Sequence, residues 1–350
     1  MNLHRLDGCS PTPLASYLKA LGVLRLVAEQ LDPEARAWWE GERFVLATTC
    51  SAPDLLRFFL DGYSPTPLVS PWNKGSGFFY DGDPALTAAE SSEASRFELL
   101  RVGVRDARLQ LRRLSEADQR VREIKEKSKS KSLSAAERSA LRASDEYKKM
   151  LADAERVFKT LKNVLMPNLK VSWRGPHRQW VDAALVLEDD GQAKFPALLG
   201  TGGNDGRLDF TNNYLQRLTE LFDFAALTGS ARPSTGRCFR SALWGLADAG
   251  ITQSVSVGQF APGDAGGANA TTGPFGDPRM NPADFVLMME GAVLFASAAT
   301  RRMDVHRSAR ASAPFATASH PAGYASAAVS DEDGRGEQWM PLWQNPATLV

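Results

Sequence analysis

The chain has 350 residues, 43% hydrophobic and 23% charged, with 41 basic and 41 acidic side chains. That length supports a large buried core, the composition is ordinary for a globular protein, and the neutral balance excludes a surface that is basic all over while leaving room for local basic faces. Cys9, Cys50 and Cys238 are far apart and odd in number, so they form neither a disulfide framework nor a zinc site and suit a reducing compartment.

The N-terminus has no basic-then-apolar signal pattern. The longest apolar run, Phe285 to Thr300, is interrupted by Glu290 and is short for a membrane span. The sequence therefore reads as cytoplasmic, with no membrane partner.

Leu3 to Pro13 reads as a turn-rich entry. Leu14, Leu18, Leu21, Leu24 and Ala28 recur at helical spacing, which predicts a helix over Leu14 to Leu31 with Pro33 beyond its end. Trp38-Trp39 followed by Phe44-Val45-Leu46 predicts a turn and then a strand, and Pro53 to Leu60 a short helix. Ser-Pro-Thr-Pro-Leu occurs at Ser10 to Leu14 and again at Ser64 to Leu68, but the sequences that follow differ, so no internal repeat is assigned.

Pro65 to Tyr80 is the most unusual stretch. Its three prolines within seven residues fix φ and remove backbone donors, which excludes helix and central strand. Trp72, Phe78, Phe79 and Tyr80 flank the polar turn Asn73-Lys74-Gly75-Ser76-Gly77. Two glycines let backbone approach another object closely, and an Asn, a Lys and free amides at such a tip suit a phosphate or a base edge. The plainer reading is a core-packed Trp beside an ordinary turn.

From Phe97 to Leu165 basic residues outnumber acidic ones. Leu100, Val104, Ala107, Leu111, Leu114 and Val121 keep a heptad-like rhythm, as do Tyr147, Leu151, Ala154, Phe158, Leu161 and Leu165. Lys127 to Ser134 is a Lys/Ser tract, and Ser134 with Glu137 has the spacing of a capping box. The pattern predicts a long antiparallel helical hairpin with a basic, mobile tip, where Lys125, Lys127, Lys129 and Lys131 could meet phosphates through counterion release. A solvated charged helix pair fits equally well.

Leu169 to Trp173 and Val181 to Leu187 read as two strands, or a strand and a short helix. Between them Arg174, His177 and Arg178 interleave with Trp173 and Trp180, a mixture that suits single-stranded nucleic acid or a partly buried Trp pair with surface arginines. A second glycine-rich stretch, Gly200-Thr201-Gly202-Gly203-Asn204-Asp205-Gly206, precedes a helix expected from Asn213 to Leu227 with Asn212 as its N-cap. Glycines before a helix can present amides to phosphate, but Arg207 to Thr211 intervene, and no Gly-Lys-Ser/Thr follows.

Gly258 to Pro282 is a third long glycine-rich loop, and Asn269 lies within it. An almost wholly apolar helix is expected from Asp284 to Arg302. Arg301, Arg302, His306, Arg307 and Arg310 then serve either its C-terminal dipole or a phosphate. The chain stops on apolar residues at Pro346 to Val350, which reads as a cut inside a larger polypeptide.

His4, His177, His306 and His320 are isolated from Cys or carboxylate clusters. There is no His-Glu-x-x-His, no Cys-x-x-Cys and no Gly-x-Ser-x-Gly elbow. The reading assigns no catalytic residue, no metal and no cofactor.

Pro71-Trp72-Asn73-Lys74-Gly75-Ser76-Gly77-Phe78, Gly200 to Phe210, Gly258 to Gly273 and the entry Leu14-Ala15-Ser16-Tyr17-Leu18-Lys19-Ala20-Leu21-Gly22 together resemble one family. It is the large subunit of the type I-G (formerly I-U) CRISPR effector complex, Cascade. The resemblance runs along essentially the whole chain, in order, and covers about the first half of a typical member. The missing half would include a C-terminal helical region similar to a small subunit. Lys74 departs from the pattern, which has a glycine or another small residue there.

The resemblance implies a non-catalytic subunit near the 5′ end of the guide RNA. It would read the protospacer-adjacent motif in target double-stranded DNA, help open the duplex, and support recruitment of the helicase-nuclease. Its other partners would be the backbone and guide-processing subunits and the small subunit. Residue type and loop position nominate Asn73, Lys74, Gly75, Asn204, Asn212, Asn213 and Asn269 for DNA contact. The same criteria nominate Lys125, Lys127, Lys129, Lys131, Arg174, Arg178, Arg301 and Arg302 for the phosphate backbone. Two other functions stay open: a scaffold that contacts guide RNA and sister subunits, and a phosphate- or nucleotide-binding enzyme using Gly200 to Gly206.

The expected fold class is α+β. Residues 1–96 would form an N-terminal mixed lobe, 97–165 the charged hairpin inserted after it, and 166–350 a second mixed lobe carrying glycine-rich loops.

Overall fold

In a computed structural model, residues 1–71, 78, 83–194, 198, 210–247, 280–300, 310–312, 314–320, 323–326 and 336–349 are described. Strand β1 (Asn2–Leu6) leads to helix α1 (Leu14–Gln30), and β2 (Arg36–Glu40) and β3 (Arg43–Thr48) follow. β3 is the central strand of an antiparallel sheet of order β1-β3-β2, with Leu6 and Trp39 both opposite Phe44. Trp38 and Trp39 therefore lie in a strand, where a turn was expected. Aromatic side chains fit the pleated surface, and Trp39 is buried against Tyr17 of α1, ring centroids 5.6 Å apart.

Helix α2 (Ala52–Arg57) starts in a capping box made by Ser51 and Asp54, and one wide π-helical turn, Phe58–Gly62, continues it. Arg96 closes that turn. Its guanidinium donates to the carbonyls of Leu60 (2.7 Å) and Tyr63 (2.8 Å), carbonyls that a helix C-terminus leaves without partners. Burial pulls the Arg96 pKa down to about 10.

After α3 (Pro84–Ser91) comes α4 (Glu98–Lys127), then α5 (Ala135–Ala143) and α6 (Asp145–Ser172). α4 and α6 are the two arms of the expected hairpin. The arms pack through the predicted rhythm, and Val121, Ile124, Tyr147 and Ala154 form a separate small core near the far end. α6 runs on through Leu169, where a strand was expected, because Met166 and Leu169 continue its buried stripe. The second stretch, open as a strand or a short helix, is α7 (Arg178–Ala184) followed by β4 (Val186–Leu187), which pairs with β5 (Ala193–Lys194).

α8 (Phe210–Leu221) and α9 (Thr235–Trp244) precede α10 (Pro282–Ala292). α10 ends ten residues before the expected Arg302. Leu294 and Phe295 turn back onto the carbonyls of Gly291 and Ala292, and the chain enters β6 (Ala298–Thr300), which pairs with β7 (Arg310–Ser312). A small antiparallel sheet of order β10-β8-β9 follows, formed by β8 (Ala316–His320), β9 (Gly323–Ser326) and β10 (Gly336–Gln338). The last described segment returns to the first sheet, where the Ala37 N–H donates to the Ala347 carbonyl at 2.9 Å.

The class is α+β, as expected. One hydrophobic core runs through residues from both ends of the chain, from Leu6 to Phe295. Its centre is the contact of α1 with α10. A Cβ on Gly22 would strike the Leu287 carbonyl, and one on Gly291 would strike the Leu18 carbonyl, so the two backbones touch where no other residue fits. Among the described residues no helix is long and apolar enough to cross a membrane.

Candidate nucleic-acid interface

The stretch that leads into the Asn73-Lys74 turn is a buried stalk. Pro65 to Pro71 has no regular secondary structure, yet every residue in it is buried. Buried irregular backbone must find partners for each N–H and C=O. Prolines at 65, 67 and 71 remove three of the donors. The Thr66 N–H donates to Glu290 Oε1 at 3.0 Å, and the Leu68 N–H to the Thr66 carbonyl at 2.8 Å. Pro67 rests on Gly103 of α4, where an added Cβ would crowd it. Ser70 Oγ accepts the Trp180 indole N–H at 2.8 Å, which ties the stalk to α7.

Glu290 is the anchor of this arrangement. It sits in α10, fully buried, and accepts from five groups on four residues. Tyr63 and Tyr214 each donate a hydroxyl to Oε1 at 2.6 Å. Arg25 Nη1 donates to Oε2 at 2.8 Å, and Thr66 supplies its N–H and its hydroxyl. Arg25 Nη2 in turn donates to Gln179 Oε1 at 2.6 Å. A buried carboxylate is tolerable only when paired and saturated with donors, and this one is both. Burial, and then the Glu290 charge, hold both tyrosine hydroxyls well above their ordinary pKa, so they stay protonated as donors.

The contributors to this hub adjoin all three glycine-rich stretches in the chain. Tyr63 and Thr66 stand just before the first, Tyr214 lies in the helix after the second, and Glu290 lies in the helix after the third. One ion-paired cluster thus joins residues from one side of each of the three stretches. Glu290, Arg25, Tyr63, Tyr214 and Gln179 were not among the predicted site residues. The signal available was a lone Glu inside an apolar run and a lone Arg in an apolar helix, each of which requires a partner.

Asn73, Lys74, Gly75, Asn204, Asn269, Arg301 and Arg302 lie outside the described residues. Asn212 and Asn213 are both half-buried in the first turn of α8. Asn212 is not the N-cap. The helix begins earlier, at Phe210, because Phe210 and Thr211 are drawn into the core with Tyr214. The Asn212 side-chain oxygen is buried without a hydrogen-bond partner among the described residues.

The basic candidates fall into two places. Arg178 spans the end of α6 and the start of α7, donating to Asp182 (2.9 Å) and to the Lys170 carbonyl (2.7 Å). Arg174 is exposed beside it, at the turn where the Trp173 and His177 rings pack at a tilt of 36°, centroids 3.8 Å apart. His177 also lies 3.4 Å from Asp106, and burial lowers its pKa. This turn packs on Gly103 and the stalk.

Lys125, Lys127, Lys129 and Lys131 are all exposed at the far end of the hairpin. From Gly103 to Lys127 along α4 is about 36 Å at the usual helical rise. Lys125 pairs with Glu155 at 2.7 Å and Lys129 with Glu126 at 3.6 Å, exposed contacts that exchange cheaply for a phosphate. The loop there, expected to be mobile, is tied by the Ser134–Glu137 capping box and by Arg142 donating to the Ser128 carbonyl at 3.1 Å. Among the described residues no group of three side chains is placed to hold a metal ion.

A scan against protein-family models and a search of curated proteins both found no match to the chain.

Proposed function

We propose that the chain is the N-terminal part of a non-catalytic large subunit of a type I-G CRISPR interference complex, acting in the cytoplasm. It reads the protospacer-adjacent motif in target duplex and aids its opening. The observation that carries this reading is the Glu290 hub, which joins residues on one side of each of three glycine-rich stretches from distant parts of the chain. Glycine-rich segments carrying Asn and Lys suit a minor groove, whose readable atoms are few and recessed. Guide pairing then reads the remaining sequence, while protein contacts hold backbone and shape.

The hairpin lysines serve a different part of the nucleic acid. Their separation from the stalk, about 36 Å along α4, is close to one helical turn of duplex. They contribute sequence-independent attraction, as do Arg174 and the loop cations. Guide RNA, the backbone and guide-processing subunits, the small subunit and the helicase-nuclease complete the assembly in this reading.

The test is duplex binding by the assembled complex carrying Asn73→Ala or Lys74→Ala. Binding that depends on the motif is expected to weaken while assembly stays intact. If both variants assemble and bind motif DNA normally, this turn does not read the motif. If instead they fail to assemble, the loops serve as scaffold.

A further inference from the structure

The hairpin carries a surface that contact with DNA does not use. On α6, beside the buried row that faces α4, stand Met150, Val157, Val164 and Val171, exposed by 40%, 52%, 54% and 62%. Isolated exposed apolar residues are ordinary on any protein. Four at strict seven-residue intervals on one helix form a seam, the repeat that helices use to pack on helices.

The distal half of this seam opens into a groove of about 550 Å³ between α4 and α6, with Ala117 and Ala154 beside Met150 and Val157. Small residues on both arms leave room for side chains from outside. The α4 wall is basic. Arg120 stands on the α4 wall, and Arg113, one heptad before it, is exposed on the same face. The α6 wall is mixed, with Lys149 between Glu146 and Asp153, and Asp153 pairs with Arg156 at 3.1 Å.

We infer that this groove receives one amphipathic α-helix from a partner chain, completing a three-helix bundle on the hairpin. The seven-residue period selects a helix, since a strand repeats every two residues and a phosphate backbone gains nothing from an apolar row. The α4 wall selects its charge: acidic side chains along the edge facing Arg113 and Arg120. The inference concerns a different surface from the glycine-rich loops and stands independently of their role.

The test is a fluorescent helical peptide about four heptads long, with Leu at its core positions and Glu along one edge. It is titrated against the full chain by fluorescence anisotropy. Saturable binding is expected, weakened at least tenfold by Val157→Glu. That position is half exposed, so the hairpin keeps its helical circular dichroism. A peptide with Lys in place of that Glu should bind the wild-type chain less tightly and the Arg113→Glu/Arg120→Glu variant more tightly, a reversal that a folding defect cannot produce. The absence of saturable binding, or binding that Val157→Glu leaves unchanged, would overturn the inference. So would self-association of the wild-type chain that Val157→Glu abolishes, which would give the seam to a second copy.

Discussion

Arg25 and Glu290, separated by 265 residues in the chain, form an ion pair of 2.8 Å in which the side chains are 3% and 0% exposed. Few arrangements are as sensitive to losing one member. Removing the carboxylate leaves a buried guanidinium with only the partly exposed Glu29, 3.2 Å away, as counter-charge. Glu290→Ala is therefore expected to cost roughly 3–5 kcal/mol in stability. The double substitution Arg25→Met/Glu290→Leu should cost less than the sum of the two singles, measured by urea denaturation as a double-mutant cycle. Additive losses would mean that the pair is not coupled.

The hub also sets an alkaline limit. Tyr63 and Tyr214 have folded-state pKa values raised well above 10.0, first by burial and then by the Glu290 charge. A raised value contributes stability that is fully present below the unfolded pKa of about 10 and is lost as pH rises toward the folded value. Stability should fall above about pH 10, by up to roughly 1.4 kcal/mol per pH unit for each tyrosine. Tyr63→Phe/Tyr214→Phe should flatten that slope in denaturation series at pH 9 to 11, even though the variant starts from a lower plateau.

The contact of α1 with α10 makes a steric prediction. Gly22→Ala or Gly291→Ala forces two backbones apart and is expected to cost at least 1–3 kcal/mol, with a matching fall in melting temperature. Gly41 is the contrasting case. It has φ of +61° and open space around it. Asn accepts that conformation, so Gly41→Asn should stay within about 1 kcal/mol of the parent.

The hairpin lysines predict a salt dependence. Lys127→Ala/Lys131→Ala should weaken duplex binding by the assembled complex equally for motif and non-motif DNA. It should also reduce the slope of log K against log salt by about two. A selective loss on motif DNA would place the reading surface at the hairpin tip instead of the glycine-rich loops.

Local features were legible in the sequence because their causes are local. The apolar repeat from Leu14 placed α1, the heptad rhythm placed both arms of the hairpin, and Ser134 with Glu137 gave the start of α5. Long-range features were not. The prolines of Pro65 to Pro71 excluded regular structure, but nothing local says that such a segment threads the core. Glu290 required a partner without indicating that the partner was Arg25. Asn212 has the chemistry of a cap, and tertiary burial of Phe210 moved the helix start past it. Leu169 to Trp173 reads as a strand on its own; packing of Met166 and Leu169 instead continues α6 past Pro167.

The most direct measurement of the proposed role is a photo-crosslink from position 73 or 74 in the complete complex with guide RNA and target duplex. The account predicts crosslinks to the base pairs of the protospacer-adjacent motif that disappear when the motif is scrambled. Crosslinks confined to guide RNA or to a sister subunit, unchanged by scrambling the motif, would contradict it.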